Sequence, residues 1–328
     1  MSGAPKPLLS VSALERRFGG GRSLLGRSKP AVHAVQGVSF DLRAGETLGV
    51  VGESGCGKST LARLLVGLDR PTGGRIALDG EDLSALAQRD HRALARQVQY
   101  VFQDPVSALN PRKTVRALVE APMRYLLGLD RAARAGRLEE LSAAVGLGTE
   151  LLERYPHELS GGQAQRIGIA RALAADPRIV VLDEPVSALD VSIQAQVLNL
   201  LADLKGRFGL TYLFIGHDLS VVEGVSDRTA VMYFGRIVEL GTRERIFRRP
   251  RHPYTRLLLD SVPVPGRRRV RPEQGDAELP DPCRPPPGCA FAPRCPRRRK
   301  DCTDAVPELE IKDAAAHRVA CFNPLTDR

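Results

Sequence analysis

The stretch "GESGCGKST", Gly52 to Thr60, fits G-x-x-x-x-G-K-[ST] and constrains this chain more than any other segment. An apolar, strand-like "TLGVV" precedes it, and a helix-like "STLARLLVG" follows from Ser59. That setting gives the spacing its chemistry. Gly52, Gly55 and Gly57 let backbone N–H groups turn toward phosphate oxygens, with Glu53, Ser54 and Cys56 completing the loop. The start of the helix adds positive potential. Lys58 is placed to reach the β- and γ-phosphates, Ser59 offers its hydroxyl to Mg²⁺, and Thr60 closes the motif. A helix N-terminus can lower a thiol pKa, but Cys56 reads more simply as a small side chain that the loop tolerates.

A second acidic signal supports the first. "IVVLDE" ends a short β-branched run on Asp183 and Glu184. Alone, such an ending is an ordinary surface turn. With a phosphate loop upstream, Asp183 suits a metal ligand and Glu184 a group that polarises an attacking water.

The rest of the chain alternates strand-like and helix-like segments. "LLSVSALERRF", "AVQGVSFDL", "TYLFIGHD" and "DRTAVMYFGRIVEL" read as strands, and 160–175 as a helix stopped by "DP" at 176–177. A Gly/Arg-rich loop, "GGGRSLLGRSKP", interrupts the first strands. The pattern predicts an α/β fold of the P-loop NTPase type with a largely parallel sheet. Residues 104–160, with Pro105, Pro111 and Pro122 ahead of an Ala/Arg/Leu/Glu run, read as a helical insertion. From about residue 263 the composition shifts to Pro, Arg and Cys, so 7–262 is expected to form the main domain and 263–328 a small appendage.

With 328 residues, the chain can bury a sizeable core. No run of eighteen apolar residues occurs, and "MSGAPKPLLS" has no apolar h-region, so a cytosolic location is expected. The net charge of +10, from 41 Arg and 7 Lys against 38 acidic residues, admits a nucleic-acid, phosphate or anionic-lipid partner. The basic runs lack interleaved aromatics, so a solvated surface accounts for them equally well.

The order of further motifs is specific. "VFQDP" carries Gln103, "LSGGQ" spans Leu159 to Gln163, "SALD" ends on Asp190, and "GHD" carries His217. Together with the phosphate loop, this set resembles the ATP-binding-cassette (ABC) ATPases over residues 7–245. The resemblance implies that two such domains pair head-to-tail, with ATP between the P-loop of one and the LSGGQ of the other. Ser160, Gly161, Gly162 and Gln163 would then approach the γ-phosphate held by a partner. Gln103 would contact Mg²⁺ and water, His217 would contact the γ-phosphate and position Glu184, and Asp190 would bridge the subunits. Phe18 matches the position at which family members stack an aromatic ring on adenine. Ala164 departs from the Arg that many members carry after LSGGQ.

Longer stretches are similar to the dipeptide/oligopeptide importer ATPases, of the second of two paired subunit types. They include "VFQDPVSALNPRKTV", "RIVELGTRERIFRRPRHPYTRLLLDSVP" and a cysteine-bearing tail. The resemblance implies a sister ATPase subunit, two transmembrane permeases, an extracytoplasmic peptide-binding protein and a place at the cytoplasmic membrane face. An importer for nickel, glutathione or another small solute is the alternative cargo reading. A soluble nucleic-acid or ribosome-associated cassette is disfavoured, because the chain has one P-loop, one LSGGQ and no sustained heptads.

Five of the six cysteines lie at the C-terminal end. Cys289, Cys295, Cys302 and Cys321 are spaced C-x5-C-x6-C-x18-C, which matches neither zinc-finger nor ferredoxin spacing. Four thiolates from a core-poor segment suit a metal site whose binding energy supplies folding energy. A [4Fe–4S] cluster, as the resemblance suggests, Zn²⁺, and reduced unligated thiols all stay open, with His317 as a substitute ligand and a redox-sensing role as a secondary reading.

Overall fold

Three short apolar runs build the centre of the molecule. In the computed structural model, β3 (Thr47–Val51), β7 (Ile179–Asp183) and β8 (Thr211–Gly216) are buried at every residue. Their side chains alternate between two cores, as strand pleating requires. Val180, Leu182, Tyr212 and Phe214 face one core, whereas Ile179, Val181, Leu213 and Ile215 face the other. Strands covered on both faces read as continuous apolar runs. The structure describes residues 6–20, 30–262, 279–311 and 317–326. Most of the Gly/Arg-rich loop and the boundary expected near 263 lie outside the described residues.

Among the described residues, the main sheet has eight strands in the order β11-β12-β10-β9-β3-β8-β7-β6. Strands β6 (Val98–Val101), β7, β8, β3 and β9 (Arg228–Tyr233) run parallel. β10 (Arg236–Thr242), β12 (Arg318–Val319) and β11 (Glu310–Ile311) extend the sheet antiparallel. A second sheet is antiparallel throughout: β1 (Leu9–Gly19), β2 (Ala31–Leu42), β4 (Gly73–Leu78) and β5 (Glu81–Asp82). The parallel sheet expected from the sequence is therefore only the central five strands. Residues 228–242, read as one strand, form a hairpin. Phe234 (φ 46°) and Gly235 (φ 77°) supply the two positive φ values of a tight two-residue turn, with Phe standing where Asn or Asp is usual.

Helix α1 (Lys58–Leu65) leaves the P-loop. Short helices α2 (Leu83–Arg89) and α3 (His91–Gln97) start on the side-chain caps of Asp82 and Asp90. The helical insertion holds α4 (Val115–Tyr125) and α5 (Arg131–Val145), both packed on α6 (Gly161–Leu173). Pro122 lies inside α4 rather than ending it. The helix tolerates the lost N–H because Val115, Leu118, Val119 and Met123 anchor its apolar face. α7 (Val191–Phe208) closes on the left-handed Gly209, and α8 (Leu219–Val225) and α9 (Arg243–Arg248) flank the later strands. Among the described residues, no helix is long and apolar enough to cross a membrane.

The C-terminal stretch, with its short helix α11 (Asp301–Asp304), returns to the main sheet. The fully buried Glu239 of β10 is the anchor. Its carboxylate accepts the Arg251 N–H (2.6 Å) and the His252 N–H (2.9 Å), and it lies 2.7 Å from His317 Nε2. His317, a candidate substitute metal ligand in the sequence, thus serves to tie the tail to β10. His252 Nδ1 accepts the Tyr254 N–H at 3.0 Å and caps α10 (Pro253–Ser261).

That cap predicts a pH effect. Burial pushes the His252 imidazole down from 6.5 to about 4, which keeps Nδ1 an acceptor at neutral pH. Between these values the unfolded chain binds a proton that the folded chain refuses. Stability therefore falls as pH drops from 6.5 toward 4, by up to roughly 3 kcal/mol from this group. Urea unfolding at stepped pH should show a shallower acid slope for His252→Asn, which keeps a capping acceptor but does not titrate. An unchanged slope would remove His252 as the cause.

Candidate active site

The P-loop geometry follows from two backbone constraints. Gly57, at φ 104°, is the N-cap of α1, and a Cβ there would run into the Ala34 carbonyl and the Met232 side chain. Because Gly57 has no side chain, no side-chain cap occupies the first N–H groups of α1, and Gly57 to Thr60 line the cleft over this loop. Gly52 is equally confined, with a Cβ blocked by the Met232 carbonyl. Lys58 is 5% exposed, and its Nζ donates to the carbonyls of Gly52 (2.8 Å) and Glu53 (3.0 Å). Cys56 is buried, and desolvation raises its thiol despite the nearby Lys58, so it is not an activated nucleophile.

A cleft of about 660 Å³ opens over this loop. Ser54, Gly55, Gly57, Lys58, Ser59 and Thr60 line its floor, and Gln103, Glu184 and His217 line one wall. Phe18 stands at the mouth, with the Arg16 guanidinium 4.3 Å above its ring. The turn residues Phe234 and Gly235 complete the lining.

Two carboxylates are set apart by their surroundings. Ser59 Oγ donates to Asp183 Oδ1 at 3.2 Å, and the Tyr100 hydroxyl donates to Asp183 Oδ2 at 2.5 Å. Burial raises the Asp183 carboxyl, and these two hydrogen bonds oppose the rise by favouring the anion. The serine hydroxyl and the carboxylate are hard oxygen donors at the foot of the loop, which fits Mg²⁺. Glu184 receives Gln103 Nε2 at 3.2 Å and His217 Nδ1 at 2.9 Å, both on Oε2. Its backbone is left-handed, φ 47°, a strain of about 1–3 kcal/mol for a non-glycine residue. Hydrogen bonds from its N–H to Ile215 O and from Ser187 to its carbonyl hold that conformation. The carboxylate is thereby pointed into the cleft at the end of β7.

Tyr100 has no motif to announce it; its only sequence signal is its place three residues before Gln103. Tyr100→Phe should raise the Mg²⁺ concentration needed for half-maximal hydrolysis about 10-fold or more, because Asp183 loses an orienting partner. A magnesium titration of ATPase activity checks this, and an unaltered titration would contradict it.

The signature residues lie elsewhere. Ser160 caps α6, its Oγ accepting the Gln163 N–H (3.3 Å), while Gln163 Oε1 accepts the Ser160 N–H (3.0 Å). Gly161 and Gly162 form the first turn of that helix. Asp190 caps α7 through Ile193 N–H and Ser192 Oγ, which hold its carboxyl below the usual range. None of these residues lines the cleft above Lys58.

The sequence profile described as "ABC transporter" matches residues 35–187, and that described as "Oligopeptide/dipeptide transporter, C-terminal region" matches 238–302. The dipeptide transport ATP-binding protein DppF of Escherichia coli (strain K12) is 49% identical over 319 residues, covering 97% of this chain and 94% of that protein. This chain belongs to the ATP-binding subunits of dipeptide/oligopeptide ABC transporters. The oligopeptide transport ATP-binding protein AppF of Bacillus subtilis (strain 168) is 48% identical, covering 96% of each chain. Among solved structures, the ABC ATPase is similar to a dimeric post-hydrolysis state of the cassette MJ0796 bound to ADP and Pi. The TM-score is 0.62 at 27% identity, covering 72% of this chain and 98% of that one. As an ABC-type ATPase it uses ATP and Mg²⁺.

The ATPase carries its four tail cysteines around one small cavity, with His252 and Phe291 beside them. Cys283 is not among that lining, and no described cysteine forms a disulfide. Burial raises the thiols of Cys289 and Cys295, and raises Cys321 to about 11, with neighbouring cysteines adding to each rise. Among the described residues, no three His, Cys, Asp or Glu side chains are arranged to hold a metal ion.

Proposed function

We propose that this subunit hydrolyses ATP at the cytoplasmic membrane face to power import of di- and oligopeptides through two permease subunits. The observation that carries the reading is the cleft that gathers Lys58, Ser59, Gln103, Glu184 and His217, on a chain nearly half identical to peptide-transport ATPases over 96–97% of its length.

In this reading the P-loop N–H groups and Lys58 bind the phosphates, and Phe18 packs against the base. Ser59 and Asp183 would hold Mg²⁺, with Gln103 near it, and the ion would neutralise phosphate charge. Glu184 accepts a proton from the attacking water, and His217, 2.9 Å away, fixes the carboxylate's direction. Ser160, Gly161, Gly162 and Gln163 act on the ATP of a sister subunit in a heterodimer, and Asp190 lies at that junction. The cap geometry suits this role, since a helix start turned outward presents its first N–H groups to an anion on another chain. The helical insertion at 104–160 grips the permeases, and an extracytoplasmic peptide-binding protein delivers cargo.

The tail, read as a separate unit at 263–328, is proposed to hold a [4Fe–4S] cluster on Cys289, Cys295, Cys302 and Cys321. Zn²⁺ is the alternative occupant of the same four thiols. The reading is supported by the four thiols lining one small cavity, and a bound group would draw them together and supply folding energy to a core-poor segment. Iron and acid-labile sulfide in anaerobically purified protein, with a visible absorption band, are expected. A folded, colourless, iron-free protein would overturn the cluster.

The cargo is tested in proteoliposomes holding this subunit, its sister and the permeases. Peptide-loaded binding protein should stimulate hydrolysis. Stimulation by nickel or glutathione instead of peptide would overturn the peptide reading.

A further inference from the structure

Glu53 occupies a variable position of the P-loop, yet it is the most heavily braced residue there. Its carboxylate forms a two-pronged pair with Arg294 of the C-terminal segment, at 2.8 Å and 2.9 Å, across 241 residues of sequence. Its N–H donates to the Tyr254 hydroxyl at 2.9 Å. Its carbonyl receives Lys58 Nζ at 3.0 Å. One loop residue therefore connects the tail, helix α10 and the phosphate-binding lysine.

Arg294 is itself held in place. It ends a one-turn 3₁₀ helix, Ala292–Arg294, that lies between Cys289 and Cys295. Its guanidinium lies 5.8 Å from the Phe291 ring and 6.0 Å from the Tyr233 ring. Those rings and Tyr254 form one cluster, with centroids 4.5–5.4 Å apart. The pair is partly shielded, at 20% and 27% exposure, and fork-on-carboxylate geometry fixes direction as well as distance. The same C-terminal segment also reaches the cleft itself. The Pro282 carbonyl accepts the His33 N–H at 3.0 Å, and Pro282 lines the cleft with Phe18 and Lys58.

We infer that Arg294 is a positioning residue for ATP binding: by clamping Glu53 it sets the P-loop carbonyl that orients Lys58, which makes the C-terminal segment a working part of the nucleotide site. Arg294 touches no substrate atom and acts only through Glu53. The fork holds the loop in both the bound and the reacting complex, so its loss weakens binding more than it slows turnover.

The inference rests on the P-loop assignment above, and the experiment separates the two. Full-length Arg294→Ala, Glu53→Gln, their double variant and Lys58→Ala are compared with wild type. Binding of a fluorescent ATP analogue, KM and kcat for MgATP, and thermal midpoints are measured for each. Arg294→Ala and Glu53→Gln should each raise Kd and KM about tenfold, the worth of one charged hydrogen-bonded pair, with kcat falling by less. The double variant should be no worse than either single one, because both remove the same contact. Glu53→Gln alters only the loop side of the clamp, so the test survives if Arg294→Ala fails to fold. A lowered thermal midpoint with Kd and KM unchanged would make the clamp purely structural and overturn the inference. Wild-type nucleotide binding by Lys58→Ala would instead overturn the P-loop assignment itself.

Discussion

Glu184→Gln is expected to lower steady-state ATP hydrolysis by about 10²–10⁴-fold while leaving ATP binding in place. The amide keeps the size of the carboxylate and can still meet His217 Nδ1 and Gln103 Nε2, so the wall of the cleft stays assembled. What it loses is the capacity to take a proton from water. The strained backbone at φ 47° and the hydrogen bonds that hold it are untouched, so stability should change little. Because binding continues without turnover, ATP should accumulate in the paired state. Phosphate release measures the first effect, and size-exclusion chromatography with MgATP and the sister subunit measures the second. Normal steady-state release would remove Glu184 from the role assigned to it.

Glu239→Ala is expected to destabilise the protein by roughly 3–5 kcal/mol, since it removes a fully buried carboxylate that three N–H groups share. For a chain of this size that loss lowers the thermal midpoint by about 10 °C. The effect reaches the active site by a traceable path. Glu239 joins β10 to the tail strand β12 and to the start of α10, whose Tyr254 meets the P-loop. Loss of the anchor should therefore weaken ATP binding as well as stability, and both readouts should move together. A thermal midpoint within 2 °C of wild type, an order-of-magnitude bound for under 1 kcal/mol, would show that the shared acceptor is replaceable.

The parts of this architecture that the sequence made legible are those encoded by neighbouring residues. The P-loop, its strand and its helix are contiguous, and the run ending at Asp183 and Glu184 declares a buried strand by composition alone. The helical insertion was also legible, although Pro122, placed ahead of the helical run in the sequence reading, lies inside α4. What stayed hidden depends on residues far apart in sequence. Tyr100 matters only because β6 lies beside β7 and brings its hydroxyl to Asp183. Strands β1 and β2 have the same alternation whether they join a parallel sheet or form their own antiparallel one, and register is not written locally. The Phe234–Gly235 turn lacks the usual Asn or Asp, which is why two strands read as one. The "HPYT" stretch was visible as a motif, but its work was not: His252 caps the helix and Tyr254 touches the P-loop.

ATP hydrolysis in the cleft built around Lys58, Asp183 and Glu184 is expected to drive the import of peptides. Uptake of a radiolabelled tripeptide by cells whose only copy of this subunit is wild type, Lys58→Ala or Glu184→Gln tests that coupling most directly. Wild-type cells should accumulate the peptide, and both variants should show none above background despite normal subunit levels at the membrane. Undiminished uptake in the Glu184→Gln cells, or no uptake in wild-type cells whose subunit hydrolyses ATP normally, would contradict it.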